Sequence, residues 1–153
     1  MDSEESDFLK RILLVVDGSA ESEEAIAFAL KLARGLQSEL TAAYVVDTAT
    51  MDYLQQMRIF VSEERAELEE SIYAKGQAYL QRAMLLAQAA KIPLETTILR
   101  GRLNNAVLQL IRQKSVDAVV MGGRKGLYRD KDVFTVEREL LLEQSPVPVL
   151  VVK

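Results

Sequence analysis

The residues of this chain best suited to chemistry form a glycine-rich basic stretch, Gly122-Gly123-Arg124-Lys125-Gly126, directly after the apolar run that ends at Met121. Glycine has no Cβ, so its backbone reaches φ > 0 and approaches an anion without obstruction. A glycine-rich turn leaving a strand is a place where an α/β chain can bring backbone N–H groups against a phosphate. Arg124, Lys125, Arg129 and Lys131 add positive charge there, and Arg100 and Arg102 follow an earlier apolar run. Basic residues gathered at one end of a sheet suit AMP, a cyclic nucleotide or a polyphosphate. The competing reading is an ordinary solvated surface, neutralised by Asp130, Asp132 and Glu137.

Composition removes several other chemistries. The chain has no histidine and no cysteine. Ser-His-Asp and Cys-His nucleophile systems, His-ligated metals, thiolate clusters and disulfides are therefore excluded. Glu63, Glu64, Glu67, Glu69 and Glu70 share a helical pattern with Arg and Lys and read as a solvated face, with no general acid/base pair. A net charge of −4 argues against general affinity for nucleic acid or an anionic membrane. The opening residues Met1–Asp7 are acidic and lack the basic start of a targeting peptide, and no apolar run approaches a membrane span. A soluble, cytoplasmic protein is expected, with residues 1–8 a disordered acidic tail.

The 153 residues fit one domain, residues 9–153 after the tail. Arg11–Val16 is an unbroken apolar run, the pattern of a strand buried on both faces, and Asp17-Gly18-Ser19 stops it. Ser19 or Ser22 can cap the helix that follows, with Glu21, Glu23 and Glu24 favouring its positive end. Leu40–Val46 is a second strand ending at Asp47. Ser62–Lys91 reads as one long helix or two joined near Gly76. A third strand covers Leu94–Leu99, and Asn104 or Asn105 caps the next helix. Asp117–Met121, Val133–Glu143 and Val147–Val152 complete the series as strand, helix and strand. Alternating strands and helices predict an α/β domain with a parallel sheet and helices on both faces. Ligands of such sheets bind beyond the carboxyl ends of strands, which directs attention to the segments after Val16, Val46, Leu99 and Met121.

Several of these segments together resemble the universal stress protein family. The resemblance runs through Ile12–Ser19, Tyr44-Val45-Val46-Asp47, Arg100-Gly101-Arg102, Val116–Gly122 and Pro146–Val152, in order and at matching spacing. It implies a five-stranded, Rossmann-like sheet of order 3-2-1-4-5. It also implies that Val16, Asp17 and the main chain at Val45 face an adenosine, with Met121, Gly122 and Gly123 opening the phosphate loop. Asp17-Gly18 reads equally as a plain turn, and Val45 as core.

In the family, two glycines three residues apart and a later Gly-Ser or Gly-Thr pair hold the phosphates of ATP. Counting from Gly122, those positions fall on Lys125, Thr135 and Val136; counting from Gly123, they fall on Gly126, Val136 and Glu137. Neither register keeps the terminal pair. Val136 has no hydroxyl, and Glu137 is expected to repel a triphosphate. Each lost hydrogen bond to a charged group is worth about 1.5–3 kcal/mol, so tight ATP binding is not expected. The sequence thus points to a non-catalytic stress-response regulatory or binding module. An adenine-nucleotide sensor with a remodelled loop, holding ATP or AMP weakly, is the alternative, and a weak ATPase a third reading.

Two further segments bear on partners. Ala49–Val61 carries Met51, Tyr53, Leu54, Met57, Ile59 and Phe60, and is expected chiefly to pack on the domain's own helices; a lid, a dimer contact or a partner surface are the other readings. The closing run Val147–Val152 is uncharged and predicted at a sheet edge, where an unpaired strand invites association. Pairing with the same strand of a second copy, which the resemblance also implies, predicts a homodimer, with Pro146 and Pro148 limiting its extent.

Overall fold

The computed structural model describes residues 8–16, 20–59, 61–123 and 133–153. Its elements alternate as β1 Arg11–Val16, α1 Ala20–Leu36, β2 Glu39–Asp47, α2 Thr48–Gln56, α3 Ser62–Ala89, β3 Leu94–Gly101, α4 Leu103–Lys114, β4 Ala118–Gly122, α5 Val133–Gln144 and β5 Val149–Val152. The five strands form one sheet of order β3-β2-β1-β4-β5, and every neighbouring pair is parallel.

The unbroken apolar strands follow from burial on both sides. Ile12, Leu14, Val16, Leu40, Ala42, Tyr44 and Val46 face one helical layer, where Ala25, Ile26 and Ala29 of α1 meet Leu80, Ala83 and Ala87 of α3. Leu13, Val15, Ala43, Val45, Val119 and Met121 face the other, against Val107, Leu108 and Ile111 of α4 and Leu141 of α5. Burying each Val, Leu, Ile or Met among them contributes about 1.5–3 kcal/mol, so the alternation within each strand fixes both layers at once.

Ser62–Ala89 is a single helix, and Gly76 is no joint within it. The glycine is needed because the ring of Tyr44 packs there: an added Cβ would lie 2.7 Å from Tyr44 Cε1 and 2.9 Å from Cγ. Helix starts depart more from expectation. Ser22 lies inside α1, while Ser19 falls outside the described residues. Asn104 and Asn105 lie within the first turn of α4, whose N-cap position is Arg102, with no side-chain cap of its own. The reason is a carboxylate from α5, described below. The last strand begins at Val149, two residues later than expected, since the Pro146–Pro148 segment does not extend it.

The apolar segment after β2 forms α2, and it divides its side chains. Ala49 and Met51 are buried, whereas Tyr53, Met57, Ile59 and Val61 are exposed. Packing on the domain's own core thus holds for the first turn and, half-buried, for Leu54; Phe60 lies outside the described residues.

Candidate functional site

The strand order reverses between β1 and β4, whose carboxyl ends are Val16 and Gly122, and open α/β sheets take their ligands beyond such a reversal. Val16, Val45 and Met121 are all buried at this end. Val16 belongs to the layer of α1 and α3, while Val45 and Met121 face α4 and α5. Asp17, Lys125 and Gly126 lie outside the described residues, and so do Arg124, Arg129, Asp130, Lys131 and Asp132.

The described start of the glycine stretch is spent on the sheet. Gly122 is the last residue of β4, in register with Val152, and the Gly123 N–H donates to the Val152 carbonyl at 2.7 Å. A Cβ on Gly123 would stand 3.3 Å from Lys153 Cγ and 3.4 Å from Val151 Cγ1, so close packing against β5 accounts for this glycine. Thr135 and Val136 lie in the first turn of α5, and Val136 is exposed.

Two charged residues of α5 turn inward instead. Glu137 is 1% exposed, Arg138 is 7% exposed, and both share the buried stripe of the helix with Leu141. The Arg138 guanidinium donates to the Gly122 carbonyl at 2.7 Å. Glu137 reaches the loop between β3 and α4. One carboxylate oxygen accepts from Arg102 Nε and Nη2, both at 3.2 Å. The other accepts from the backbone N–H of Asn104, also at 3.2 Å. This carboxylate therefore supplies the cap that α4 lacks from its own chain neighbours, at the end where the helix dipole favours negative charge.

Asp47 completes the group. It closes β2 opposite Gly101 and caps α2, accepting from the Ala49 N–H at 2.9 Å and from the Thr50 hydroxyl at 3.5 Å. Burial holds its carboxyl above the usual range, and the negative Glu137 pushes the same way. The Ala49 hydrogen bond, Thr50 and the positive Arg102 oppose that shift. Gly101 reaches φ 143°, a conformation that L side chains rarely adopt, and so lets the chain turn from β3 toward Arg102. Nearby, Asn104 Nδ2 donates to Gln144 at 3.0 Å, while its buried Oδ1 has no partner.

Among the described residues, the two arginines that follow β3 are paired internally. Arg102 is held by Glu137, as the solvated-surface reading expects of Glu137, except that the carboxylate is buried; Arg100 pairs with Glu69 at 2.7 Å. Glu137, expected from sequence to repel a phosphate, is thus also the buried partner of Arg102 and of the Asn104 N–H. Sequence did contain a signal: Glu137 stands four residues before Leu141, on the stripe of an amphipathic helix that should face the core.

An open parallel sheet of order β3-β2-β1-β4-β5 with two helices on each face is a Rossmann-like α/β protein. The model of the universal stress protein family matches residues 9–153, and this chain belongs to that family. It is 31% identical over 147 residues to a universal stress protein of Methanocaldococcus jannaschii, MJ0531, covering 94% of this chain and 82% of that protein. A universal stress protein solved in complex with cAMP has the same fold, with a TM-score of 0.65 and 20% identity, over 94% of this chain and 96% of the other. So has a universal stress protein family protein from Arabidopsis thaliana solved with AMP bound, with a TM-score of 0.66 and 16% identity over 94% and 91%.

Proposed function

We propose that this protein is a non-catalytic regulatory module that binds an adenine nucleotide of low phosphate charge, weakly, at the carboxyl ends of β1, β2 and β4. The observation that carries this reading is the internal pairing of the phosphate-side groups. The Gly123 N–H is taken by the Val152 carbonyl, and the Arg102 guanidinium by Glu137. A triphosphate would have to displace these partners, whereas an adenosine needs only the strand ends.

Val16, Asp17 and Val45 form the adenosine side in this reading, and Met121, Gly122, Gly123, Lys125, Gly126, Thr135 and Val136 border the phosphate side. AMP bound to the Arabidopsis protein and cAMP bound to the other relative support an adenine ligand with one phosphate. The absence of histidine and cysteine from the chain supports a binding role over a catalytic one. Residues 9–153 would act as one domain behind an acidic tail at 1–8, in the cytoplasm, with no nucleic-acid or membrane partner.

The exposed edge of β5 supports homodimerisation through residues 147–152. Val151 is exposed there, and an edge strand leaves one row of backbone donors and acceptors for a second copy. Light scattering at micromolar concentration is expected to give twice the chain mass; a monodisperse monomer would remove this part of the reading.

The test is to denature the purified protein, identify any released nucleotide, and titrate the emptied protein with adenosine, AMP, cAMP and ATP, with and without magnesium. AMP or cAMP is expected to bind in the micromolar to millimolar range, with ATP no tighter. A stoichiometric, submicromolar ATP complex would contradict the reading. Turnover of ATP abolished by changing Asp17 or Lys125 would replace it with an ATPase.

A further inference from the structure

We propose that Glu137 is the residue that sets the charge of the ligand this site accepts. The inference rests on the nucleotide reading for the identity of its ligand, but not for its physical argument. Glu137 lies on the inward stripe of α5, where Leu141 of the same stripe is wholly buried. A carboxylate in such a place needs strong partners, and it finds them in Arg102 and the Asn104 N–H.

Those partners are the groups an anionic ligand would use. The Arg102 side chain is 57% exposed, so one edge of the guanidinium already reaches solvent while Glu137 holds its Nε and Nη2 from beneath. An incoming phosphate therefore competes with a carboxylate that cannot diffuse away. It also meets the second buried carboxylate, Asp47, whose proton affinity senses both Glu137 and Arg102. The penalty grows with each negative charge on the ligand and vanishes for a neutral one. Glu137 thus discriminates by charge: adenosine is unaffected, a monophosphate is modestly disfavoured, and a triphosphate most of all.

Replacing Glu137 by an uncharged residue raises the local charge by one unit and frees a fork-shaped donor for phosphate. A hydrogen bond to a charged group is worth about a tenfold change in affinity or more. Two variants test this. Glu137→Gln keeps the side chain's size, and Glu137→Leu suits the apolar stripe if the amide folds poorly, since the Arg102 it releases is 57% exposed and stays solvated.

Adenosine, AMP, ATP and inorganic tripolyphosphate are titrated into wild type and both variants by calorimetry, after circular dichroism has established folding. The gain in affinity is expected to rise with ligand charge, to about tenfold or more for ATP and tripolyphosphate, with adenosine unchanged. The double variant Arg102→Met with Glu137→Leu is expected to lose the gain. Equal changes for all four ligands, or no gain for tripolyphosphate in a folded variant, would overturn the proposal. If no adenine ligand binds any form but tripolyphosphate gains as expected, the nucleotide reading fails while the role of Glu137 stands.

Discussion

The two ends of the sheet carry ion pairs of comparable length and very different character. At the amino end, Arg11 pairs with Glu39 at 3.2 Å and Lys114 with Glu95 at 2.6 Å, and all four side chains are substantially exposed. They border a cavity of about 450 Å³ floored by Ile12, Leu40, Leu94 and Val116. At the carboxyl end, Arg102 meets Glu137 at 3.2 Å, but the carboxylate is buried and also receives a backbone N–H. Pair distance alone does not separate the two ends; burial does. Exposed pairs are screened and contribute about 0–1 kcal/mol, whereas stripping a partner from a buried charge is strongly destabilising. A cavity thus lies at the end with the weaker constraints, while the carboxyl end, with its strand-order reversal, holds the organised polar groups.

That contrast can be broken most forcefully through the cations. Arg102→Met leaves Glu137 buried with only the Asn104 N–H, and urea unfolding is expected to lose up to about 3 kcal/mol of stability. Arg11→Met at the other end should cost less than about 1 kcal/mol. Equal losses would mean that burial does not distinguish the ends.

Glycines offer a second comparison. Gly101→Ala imposes a side chain on φ 143° at the carboxyl end and is expected to cost about 1–3 kcal/mol. Gly35, in the last turn of α1 toward the amino end, has open space around a built Cβ. Gly35→Ala should therefore stabilise by about 0.4–1 kcal/mol, read by the same unfolding curves.

The Asp47 carboxyl sharpens the comparison through pH. Its folded pKa is raised by burial, so the folded state binds this proton more tightly than the unfolded state does. The cost of burying the charged form is present in full above the raised folded value and disappears as pH falls toward the unfolded value. Asp47→Asn keeps an oxygen for the Ala49 N–H and removes that cost. The variant is expected to be at least as stable as wild type at neutral pH, with its advantage shrinking as pH falls through the titration of Asp47. An advantage constant with pH would contradict the assignment. The smallest effect is expected at Glu23, exposed and paired with the equally exposed Arg82 on the helical surface: Glu23→Gln should leave the unfolding midpoint unchanged within error.

Much of this architecture was legible in the residues. Doubly buried strands such as Arg11–Val16 show as unbroken apolar runs, and the single long helix shows as a stretch of strong helix formers. Gly76 was ambiguous because the reason for it, the Tyr44 ring, comes from a strand some thirty residues away. The head of α4 was misassigned for a related reason. Local rules favour Asn104 as a cap, but the capping carboxylate arrives from α5, and such a long-range partner leaves no mark near residue 104. Glu137 did leave a mark, a charge on an apolar stripe, but its meaning depended on Arg102. Gly123 shows a further limit: the motif that singles it out carries no sign of its close packing against β5.

Which end of the sheet receives a ligand is tested most directly by the backbone amide signals of the 15N-labelled protein during titration with AMP. Binding at the carboxyl end predicts saturable shifts at Val16, Val45, Gly122, Gly123 and Asn104, with Arg11, Leu40, Leu94 and Val116 unmoved. Shifts confined to the residues around the amino-end cavity, or no saturable shifts at millimolar AMP, would contradict the account.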